Sequence, residues 1–187
     1  MTLLKTRVTV DEFDNFTQLP ENDDKRFELI EGEIVEITSN SYSSILAGFF
    51  LTFINLYNLQ NNLGWVTGAD GGYQVGTERY LPDVGFISKA RQPTRPRVTY
   101  IPLAPDLAVE VVSPTDSERQ LTIKIFNYVA AGTTVWVAYP DEQTVVIFAP
   151  NQPPIRLDRT GVIDGGAILP GFALTLTEIF RDHSPQV

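Results

Sequence analysis

Apolar residues recur three and four positions apart in several stretches of the chain, and this period predicts helices. The longest such stretch runs from Ser41 to Leu59 and predicts a mostly buried helix, with apolar residues at 45, 46, 49, 50, 53, 54, 56 and 57. Near the N-terminus, Thr9-Val-Asp-Glu12 has the spacing of a capping box. A short helix is therefore expected from there to about Leu19, because Pro20 cannot continue it.

Alternating or short apolar runs predict the strands. In residues 27–37 apolar pairs flank Gly32 and alternation is clear on the second arm, which predicts a hairpin with a tight turn at Glu31-Gly32. The run Asp-Leu-Ala-Val-Glu-Val-Val at 106–112 is almost continuously apolar and predicts a central strand buried on both faces. Further strands are expected at 65–75 (with a turn or bulge at 71–72), 80–87, 135–138 and 144–148.

A third helix is expected to begin at Asp116 or Ser117 and to end before Gly132, a typical C-terminal stop. Beyond Pro150 the sequence predicts loops and one last short helix near 176–180. The order of these elements predicts an α/β (α+β) fold, in which helices flank a mixed central sheet.

The length of 187 residues fits a single domain over 1–187. Within it we expect a core at about 25–150, an N-terminal helix and arm at 1–24, and C-terminal decoration at 151–187. Apolar residues make up 43% of the chain, which is enough to bury a core.

The composition excludes several kinds of chemistry. There is no cysteine, which excludes disulfides, thiolate nucleophiles and cysteine-bound zinc. The only histidine, His183, lies in an expected mobile tail, which argues against histidine-based mechanisms. The net charge of -9 argues against a protein that coats DNA, but it allows an enzyme that gathers acids around a metal. No apolar run reaches the ~18 residues that a membrane span needs, and no signal-peptide pattern is apparent. A cytoplasmic protein that does not associate with a membrane is therefore expected.

Glu110, a carboxylate within the predicted central strand, is the first candidate for chemistry. Burying a charged carboxylate costs on the order of several kcal/mol unless a partner compensates the charge. A metal ion is one such partner. A buried ion pair with an arginine is the structural alternative.

Asp83 and Lys124 are the next candidates. Asp83 follows Pro82 inside an apolar run, although Pro-Asp pairs are also common in turns. Lys124 borders the apolar stripe of the third helix, where it either reaches a site or stays solvated. Two carboxylates on adjacent strands can hold Mg²⁺ or Mn²⁺, and a nearby lysine can orient or deprotonate the attacking water and offset phosphate charge. Together with Glu110, these residues form a minimal set for phosphodiester hydrolysis.

Several short motifs are distributed over about residues 10 to 182: Phe-Glu-Leu-Ile-Glu-Gly-Glu at 27–33, Ser-Ser-Ile-Leu-Ala at 43–47, Gly-Ala-Asp-Gly-Gly-Tyr at 68–73, Leu-Pro-Asp-Val-Gly-Phe-Ile at 81–87, Pro-Asp-Leu-Ala-Val-Glu-Val-Val-Ser-Pro-Thr-Asp at 105–116, Ala-Gly-Thr-Thr-Val-Trp-Val at 131–137 and Leu-Pro-Gly-Phe at 169–172. With these motifs the chain resembles the PD-(D/E)XK nuclease superfamily. It resembles more closely the restriction-endonuclease-like proteins that are abundant in cyanobacteria. The segment 105–116 is the most specific of the motifs.

The resemblance implies a restriction-endonuclease-like core and metal-dependent hydrolysis of DNA. Asp83 and Glu110 would bind Mg²⁺ or Mn²⁺, with a backbone carbonyl near Val111 completing the shell. The superfamily lysine is expected two residues after Glu110, where Val112 stands, so Lys124 on the following helix would take its role. Nucleases of this kind that cut both strands commonly act as dimers, so a homodimer is expected by analogy.

Other residues are weaker candidates. Glu31 is favoured slightly as an additional acid, although carboxylates beside a hairpin turn are usually solvated. Asp70 fits a turn better than a ligand. A basic loop after Asp83 is expected to contact DNA phosphates, unless it is simply a solvated loop, and its charged residues are Lys89, Arg91, Arg95 and Arg97.

Two other functions stay open at this point. One is a non-catalytic module that binds nucleic acid or protein on the same fold, favoured by the acidic net charge and by Val112. The other is a metal-dependent hydrolase of a different phosphoester. The observation that distinguishes them is whether Asp83, Glu110 and Lys124 converge on one point.

Overall fold

The structure, a computed structural model, describes residues 7–38 and 40–181. The described helices are α1 (Val10–Thr17), α2 (Ser41–Asn61), α3 (Glu118–Ala130) and α4 (Leu176–Ile179). The described strands are β1 (Phe27–Ile30), β2 (Glu33–Glu36), β3 (Gly64–Gly68), β4 (Gly72–Val75), β5 (Glu78–Tyr80), β6 (Val84–Ser88), β7 (Tyr100–Ile101), β8 (Leu107–Val111), β9 (Thr134–Tyr139), β10 (Thr144–Phe148), β11 (Ile155–Leu157), β12 (Val162–Asp164) and β13 (Ala173–Thr175). His183 and the first part of the expected N-terminal arm lie outside the described residues.

The largest sheet has six strands in the order β11-β10-β9-β8-β6-β3. Strands β8 and β9 run parallel and are connected through α3, whereas the other neighbours are antiparallel. Every residue of β8 is buried, which confirms the predicted central strand. This mixed sheet with a helical crossover is the predicted fold class.

A second sheet has five strands in the order β2-β1-β5-β4-β7. Its first two strands are the predicted hairpin, paired antiparallel from Phe27 with Glu36 to Ile30 with Glu33. Glu31 and Gly32 form the turn with positive φ angles of 51° and 74°. Left-handed backbone at both turn positions matches the twist of the two strands, as in a type I′ hairpin.

The stretch 80–87, expected to be one strand, forms two strands in two different sheets. β5 ends at Tyr80, and β6 begins at Val84 in the other sheet. Pro82 lies between them and has no N–H for a strand ladder, so the chain can leave one sheet there and enter the next. The prediction of a continuous strand is wrong, and the break places Asp83 at the junction of the two sheets.

The helix α2 covers one face of the large sheet. Its inner residues Leu46, Phe50 and Ile54 are fully buried in the core that β6, β8 and the C-terminal segment complete. Its outer residues differ from the prediction of a mostly buried helix, because Ile45 and Leu56 are more than half exposed.

The chain beyond Pro150 contains strands as well as the predicted last helix. β11 extends the large sheet, while β12 and β13 form a separate two-stranded ribbon. Leu169, Phe172 and Leu176 are buried in the same core as α2. The prediction of loops in this region is wrong for these strands, because strands of three residues are too short to show a clear alternation.

Candidate active site

A buried ion pair joins β8 to α3. Side chains alternate along β8, so Val109 and Val111 enter the core beneath α2 while Glu110 faces the other side, towards α3. The Nζ atom of Lys124 donates a hydrogen bond of 2.9 Å to Oε2 of Glu110 and also lies 2.9 Å from Oε1. Lys124 is only 8% exposed, so it is not a solvated lysine, and the partner of Glu110 is a lysine rather than an arginine.

Glu28 of β1 is a second partner of this lysine, and the sequence reasoning missed it. The Nζ atom of Lys124 lies 2.9 Å from Oε1 of Glu28. The same oxygen accepts a hydrogen bond of 2.7 Å from the backbone N–H of Leu81, in the connection that leads to β6. Glu28 is fully buried between apolar neighbours, which is the same anomaly that singled out Glu110.

Asp83, the residue before β6, lines the same pocket as Glu28, Glu110 and Lys124. The ladder between β6 and β8 ends at the pair Val84 and Val109. Beyond that pair, Oδ2 of Asp83 accepts a hydrogen bond of 2.7 Å from the backbone N–H of Val111. Asp83 therefore caps the end of β8, directly after Glu110.

The ammonium of Lys124 is also held by an aromatic ring. It lies 5.7 Å from the centroid of the Tyr80 ring, within the range of a cation–π contact. The Tyr80 hydroxyl accepts a hydrogen bond of 2.7 Å from Nδ2 of Asn127, one turn further along α3. Two carboxylates and an aromatic face thus fix the position of this one charge.

One pocket of about 250 Å³ is lined by Glu28, Asp83, Glu110 and Lys124. It brings together the three residues that the sequence predicted and the one that it missed. Among these four side chains, three carboxylates and one ammonium give a net charge of -2 when all are ionised, and Glu36, Asp116 and Arg26 also line the pocket. Such an excess of buried negative charge favours the uptake of a proton or a cation.

The pKa values in the pocket follow from this imbalance. The pKa of Glu110 is raised to about 8, chiefly by burial and also by the charges of Glu28 and Asp83, against the lowering effect of Lys124. Burial also raises the pKa of Asp83, against the N–H of Val111 and the charge of Lys124. Burial by itself would lower the pKa of Lys124, but the two glutamates outweigh it and the pKa is raised. The lysine therefore stays an ammonium at neutral pH.

We predict that Glu110→Gln weakens the dependence of stability on pH. The folded-state pKa of about 8 exceeds the usual 4.5, so the folded protein binds more protons than the unfolded chain between these values. Stability contributed by this group is therefore lost as the pH rises from about 5 to 8, by roughly 3 kcal/mol. Urea denaturation at pH 5, 6, 7 and 8 measures the slope.

The control for this prediction is Glu142→Gln. Glu142 is an exposed carboxylate that pairs with Arg156 at the surface. We expect this variant to keep the pH slope of the wild type. Parallel slopes for wild type and Glu110→Gln would contradict the raised pKa of Glu110.

Glu31, the predicted additional acid, does not line the pocket. It forms an ion pair with Arg119 at the surface, between the hairpin turn and the start of α3. The acid that shares Lys124 with Glu110 is instead Glu28, on the strand that leads to this turn. Asp70 is exposed and pairs with Arg26 at 3.4 Å.

The predicted basic loop lies at the opposite end of β6 from Asp83. Lys89 and Arg95 lie over the ring of Trp65, at 5.0 and 5.4 Å from its centroid. Arg91 pairs with Asp106 at 3.1 Å, and Arg97 is exposed. The five residues of β6 separate Asp83 from Lys89, and the six steps of extended chain between the two correspond to about 20 Å.

The mixed sheets and the flanking helices, with a pocket of acids and a lysine at their junction, define a restriction-endonuclease-like fold. A family model described as "Uma2: Putative restriction endonuclease" matches residues 13–177, so the chain belongs to this family. A solved structure described as a putative nuclease belonging to DUF820, from Anabaena variabilis ATCC 29413, is 24% identical. It superposes with a TM-score of 0.81 over 92% of this chain and 97% of that chain, which confirms the fold. No curated protein matches the chain.

Proposed function

We propose that this protein is a metal-dependent endonuclease that hydrolyses phosphodiester bonds of DNA in the cytoplasm. One observation carries the proposal: Lys124 lies 2.9 Å from Glu110, and Asp83 is hydrogen-bonded to the very next residue, Val111. A carboxylate from each of two adjacent strands and a lysine from the following helix thus meet in one pocket. The family's description as restriction endonucleases supports DNA as the substrate.

Asp83 and Glu110 would hold the metal, together with the backbone carbonyl of Val111. The fit rests on the chemistry of the pocket, since the carboxylates outnumber the cations, and the buried Oε1 of Glu110 meets no donor among the described residues beyond its 2.9 Å ion pair with Lys124. Hard oxygen donors of this kind suit Mg²⁺ or Mn²⁺. A divalent cation supplies Lewis-acid activation of water when it is bound.

Lys124 acts as a fixed positive charge rather than as a base. Its pKa is raised by the neighbouring glutamates, so at neutral pH it has no free electron pair with which to accept a proton. Held beside Glu110, the ammonium would orient the attacking water and offset the charge that develops on the phosphate. This is the role that the superfamily assigns to a lysine two residues after the acid, where Val112 stands here.

The phosphates of DNA would first meet positive charge at the rim of the pocket. Arg26 lines the pocket and is partly exposed, so it can approach a phosphate near the reacting bond. The basic loop with Lys89 and Arg91 would contact the duplex about 20 Å away, roughly six base pairs along its axis. Such contacts position the DNA without reading its sequence.

We predict that Asp83→Asn lowers metal-dependent cleavage of supercoiled plasmid by at least about 100-fold. The substitution removes a charged metal ligand but keeps an oxygen that can accept the hydrogen bond of Val111. The measurement is conversion to nicked and linear plasmid with Mg²⁺ or Mn²⁺, and with EDTA as a blank. A set of plasmids that differ in sequence protects against a missed target site.

Asp164→Asn is a matched control. Oδ1 of Asp164 accepts a hydrogen bond of 2.8 Å from the backbone N–H of Gly166, at the end of β12. This variant changes a carboxylate that binds a backbone N–H outside the pocket and outside the basic loop, and we expect it to cut like the wild type. Equal activity of the Asp83 and Asp164 variants would contradict the assigned site. So would cleavage that continues in EDTA.

A non-catalytic binding module is the second candidate function. It is favoured by one observation: the described residues contain no group of three or more Asp, Glu, His or Cys side chains placed to hold a metal. The ammonium of Lys124 occupies the space between Glu28 and Glu110 instead. Wild-type protein that binds DNA but cuts no plasmid with either metal would establish this alternative.

A further inference from the structure

A second pocket, which we call the groove, lies beside the pocket of Lys124. It has a volume of about 800 Å³ and is formed by the segments that follow the parallel strands β8 and β9, together with the first turns of α2 and α3. Ligands of open α/β sheets commonly bind outside the carboxyl ends of the strands, and this volume is typical of a ligand site. The groove therefore has the place and the size of a binding site.

The groove and the pocket of Lys124 share part of their walls. The residues that line both are Val112, Ser113, Thr115, Asp116 and Leu121. A DNA strand with its reacting phosphate at Asp83 and Glu110 therefore brings a neighbouring nucleotide to the groove. This step rests on the proposed nuclease function.

The walls of the two sites differ in charge. Among the described residues, Lys124 and Arg26 line the pocket, whereas no lysine or arginine lines the groove. The groove is lined instead by four carboxylates, which belong to Asp116, Glu118, Asp141 and Glu142. Such a wall repels phosphates but attracts neutral groups that carry N–H donors.

Two of these carboxylates have unused acceptor oxygens. Asp116 already accepts a backbone N–H, and Glu142 forms a surface ion pair. Within the part of the chain that the structure describes, the side chains of Glu118 and Asp141 form no hydrogen bond or ion pair, and both residues are exposed. Glu118 lies closer to the shared wall, because it follows Asp116 on the segment that lines both sites.

The other walls of the groove are mainly apolar and aromatic. Ile125 and Phe148 are half-buried there, and Tyr42 is 46% exposed at the start of α2. The Tyr139 ring is already approached by the guanidinium of Arg156, at 5.8 Å from its centroid. Tyr42 therefore offers the more open ring, and stacking on such rings is how unpaired bases commonly bind to proteins.

We propose that the groove binds an unpaired guanine of the DNA substrate, next to the phosphodiester bond that is cleaved. The two oxygens of the Glu118 carboxylate accept the N1–H and the N2 amino group of this base, while its ring stacks on Tyr42. Among the DNA bases, guanine alone presents two adjacent donors on its Watson–Crick edge. Adenine and cytosine place an acceptor beside the amino group, and thymine has a single N–H between two carbonyls.

A basic peptide is the other chemistry that an acidic groove attracts. The shared wall favours the base, because it connects the groove directly to the place of the reacting phosphate. The guanine must be unpaired, since pairing with cytosine occupies the same edge. The substrate is therefore single-stranded DNA or a duplex from which this base is extruded.

Fluorescence anisotropy at low salt in EDTA measures this binding without cleavage. The probe is a labelled single strand of about 12 thymines with one central guanine, a length within the usual range of single-strand sites. Matched probes carry adenine, inosine (which lacks the N2 amino group) or 7-deazaguanine (which keeps both donors). The wild type should bind guanine and 7-deazaguanine at least about tenfold more tightly than adenine, with inosine in between.

Glu118→Gln should remove this preference, so that the guanine and adenine probes bind equally within about twofold. The amide keeps one acceptor but presents its own N–H₂ to a donor of the base. Asp141→Asn is the matched control, because it removes the same charge from the groove and should keep the preference. Tyr42→Ala should weaken binding of the guanine probe by about tenfold, and Tyr42→Phe should restore it, since phenylalanine keeps the ring.

Equal binding of the guanine and adenine probes by the wild type would overturn the proposal, as would a preference that survives Glu118→Gln. Free dGMP that binds as tightly as the guanine probe would overturn it in favour of a free nucleotide. An arginine-rich peptide that binds through Glu118, with no probe bound, would overturn it in favour of a basic peptide. Plasmid cleavage without a guanine preference would reject this site alone, whereas a guanine preference without cleavage would reject the nuclease alone.

Discussion

Replacing Lys124 with methionine is expected to destabilise the protein by roughly 3–5 kcal/mol, the largest stability effect of any single change discussed for this pocket. Methionine keeps most of the length of the side chain but leaves Glu28 and Glu110 buried without their shared cation. Removing one member of a buried ion pair commonly costs about this much, because the remaining charge is uncompensated. The measurement is urea denaturation at pH 7.

The sign of the pH effect makes this prediction specific. Lys124 lowers the pKa of Glu110, so without it the pKa of this carboxyl rises further above its usual value. The folded variant then gains protons over a wider pH range, and its stability should recover as the pH falls towards 5. Arg119→Met, which breaks the exposed pair with Glu31, is the control with little expected loss. A loss in Lys124→Met that is equal at pH 5 and pH 8 would contradict this explanation.

Glu28→Ala is expected to cost about 3 kcal/mol and to lower any cleavage activity as well. It leaves the backbone N–H of Leu81 without its acceptor and removes a partner of Lys124. An unsatisfied buried N–H costs about 1–3 kcal/mol, and the cavity left by the side chain adds to this. Because Leu81 precedes the segment that carries Asp83, this proposed metal ligand should also lose its fixed position. Thermal unfolding and plasmid cleavage measure the two effects.

Glu28→Gln separates position from charge. The amide oxygen can still accept hydrogen bonds from Leu81 and Lys124, so most of the stability should return. Cleavage should return with it if Glu28 acts by holding Asp83 and Lys124 in place. A glutamine variant that is stable but as inactive as the alanine variant would show that the negative charge of Glu28 is itself needed.

The residues of the pocket come from both sheets and from α3. Glu28 belongs to the five-stranded sheet, Glu110 to the six-stranded sheet, and Lys124 to the helix that joins β8 to β9. Asp83 lies in the segment that passes from one sheet to the other. The site therefore forms only where both sheets and α3 come together, so its stability and its chemistry are coupled.

The local parts of this site are visible in the sequence. Glu110 is conspicuous because burying a carboxylate inside an apolar strand is energetically costly unless a partner compensates its charge. Glu28 is a carboxylate of the same kind, between Phe27 and Leu29, but the hairpin pattern around it predicts a turn and favours Glu31 as the additional acid. The position of Lys124 on its helix was predicted, whereas its burial was not, because a residue at the border of an apolar stripe can point either way.

The sequence by itself determined the helices, the hairpin turn and the buried central strand, since periodicity, caps and left-handed turn residues are properties of neighbouring positions. Tertiary structure alone decided which acids share Lys124, because Glu28 contacts Leu81 across 53 positions of the chain and no local pattern encodes that distance. It also decided that Pro82 separates two sheets. Finally, it left one apolar face of α2 uncovered, which periodicity cannot reveal, because an apolar residue looks the same in a sequence whether its neighbour is the core or solvent.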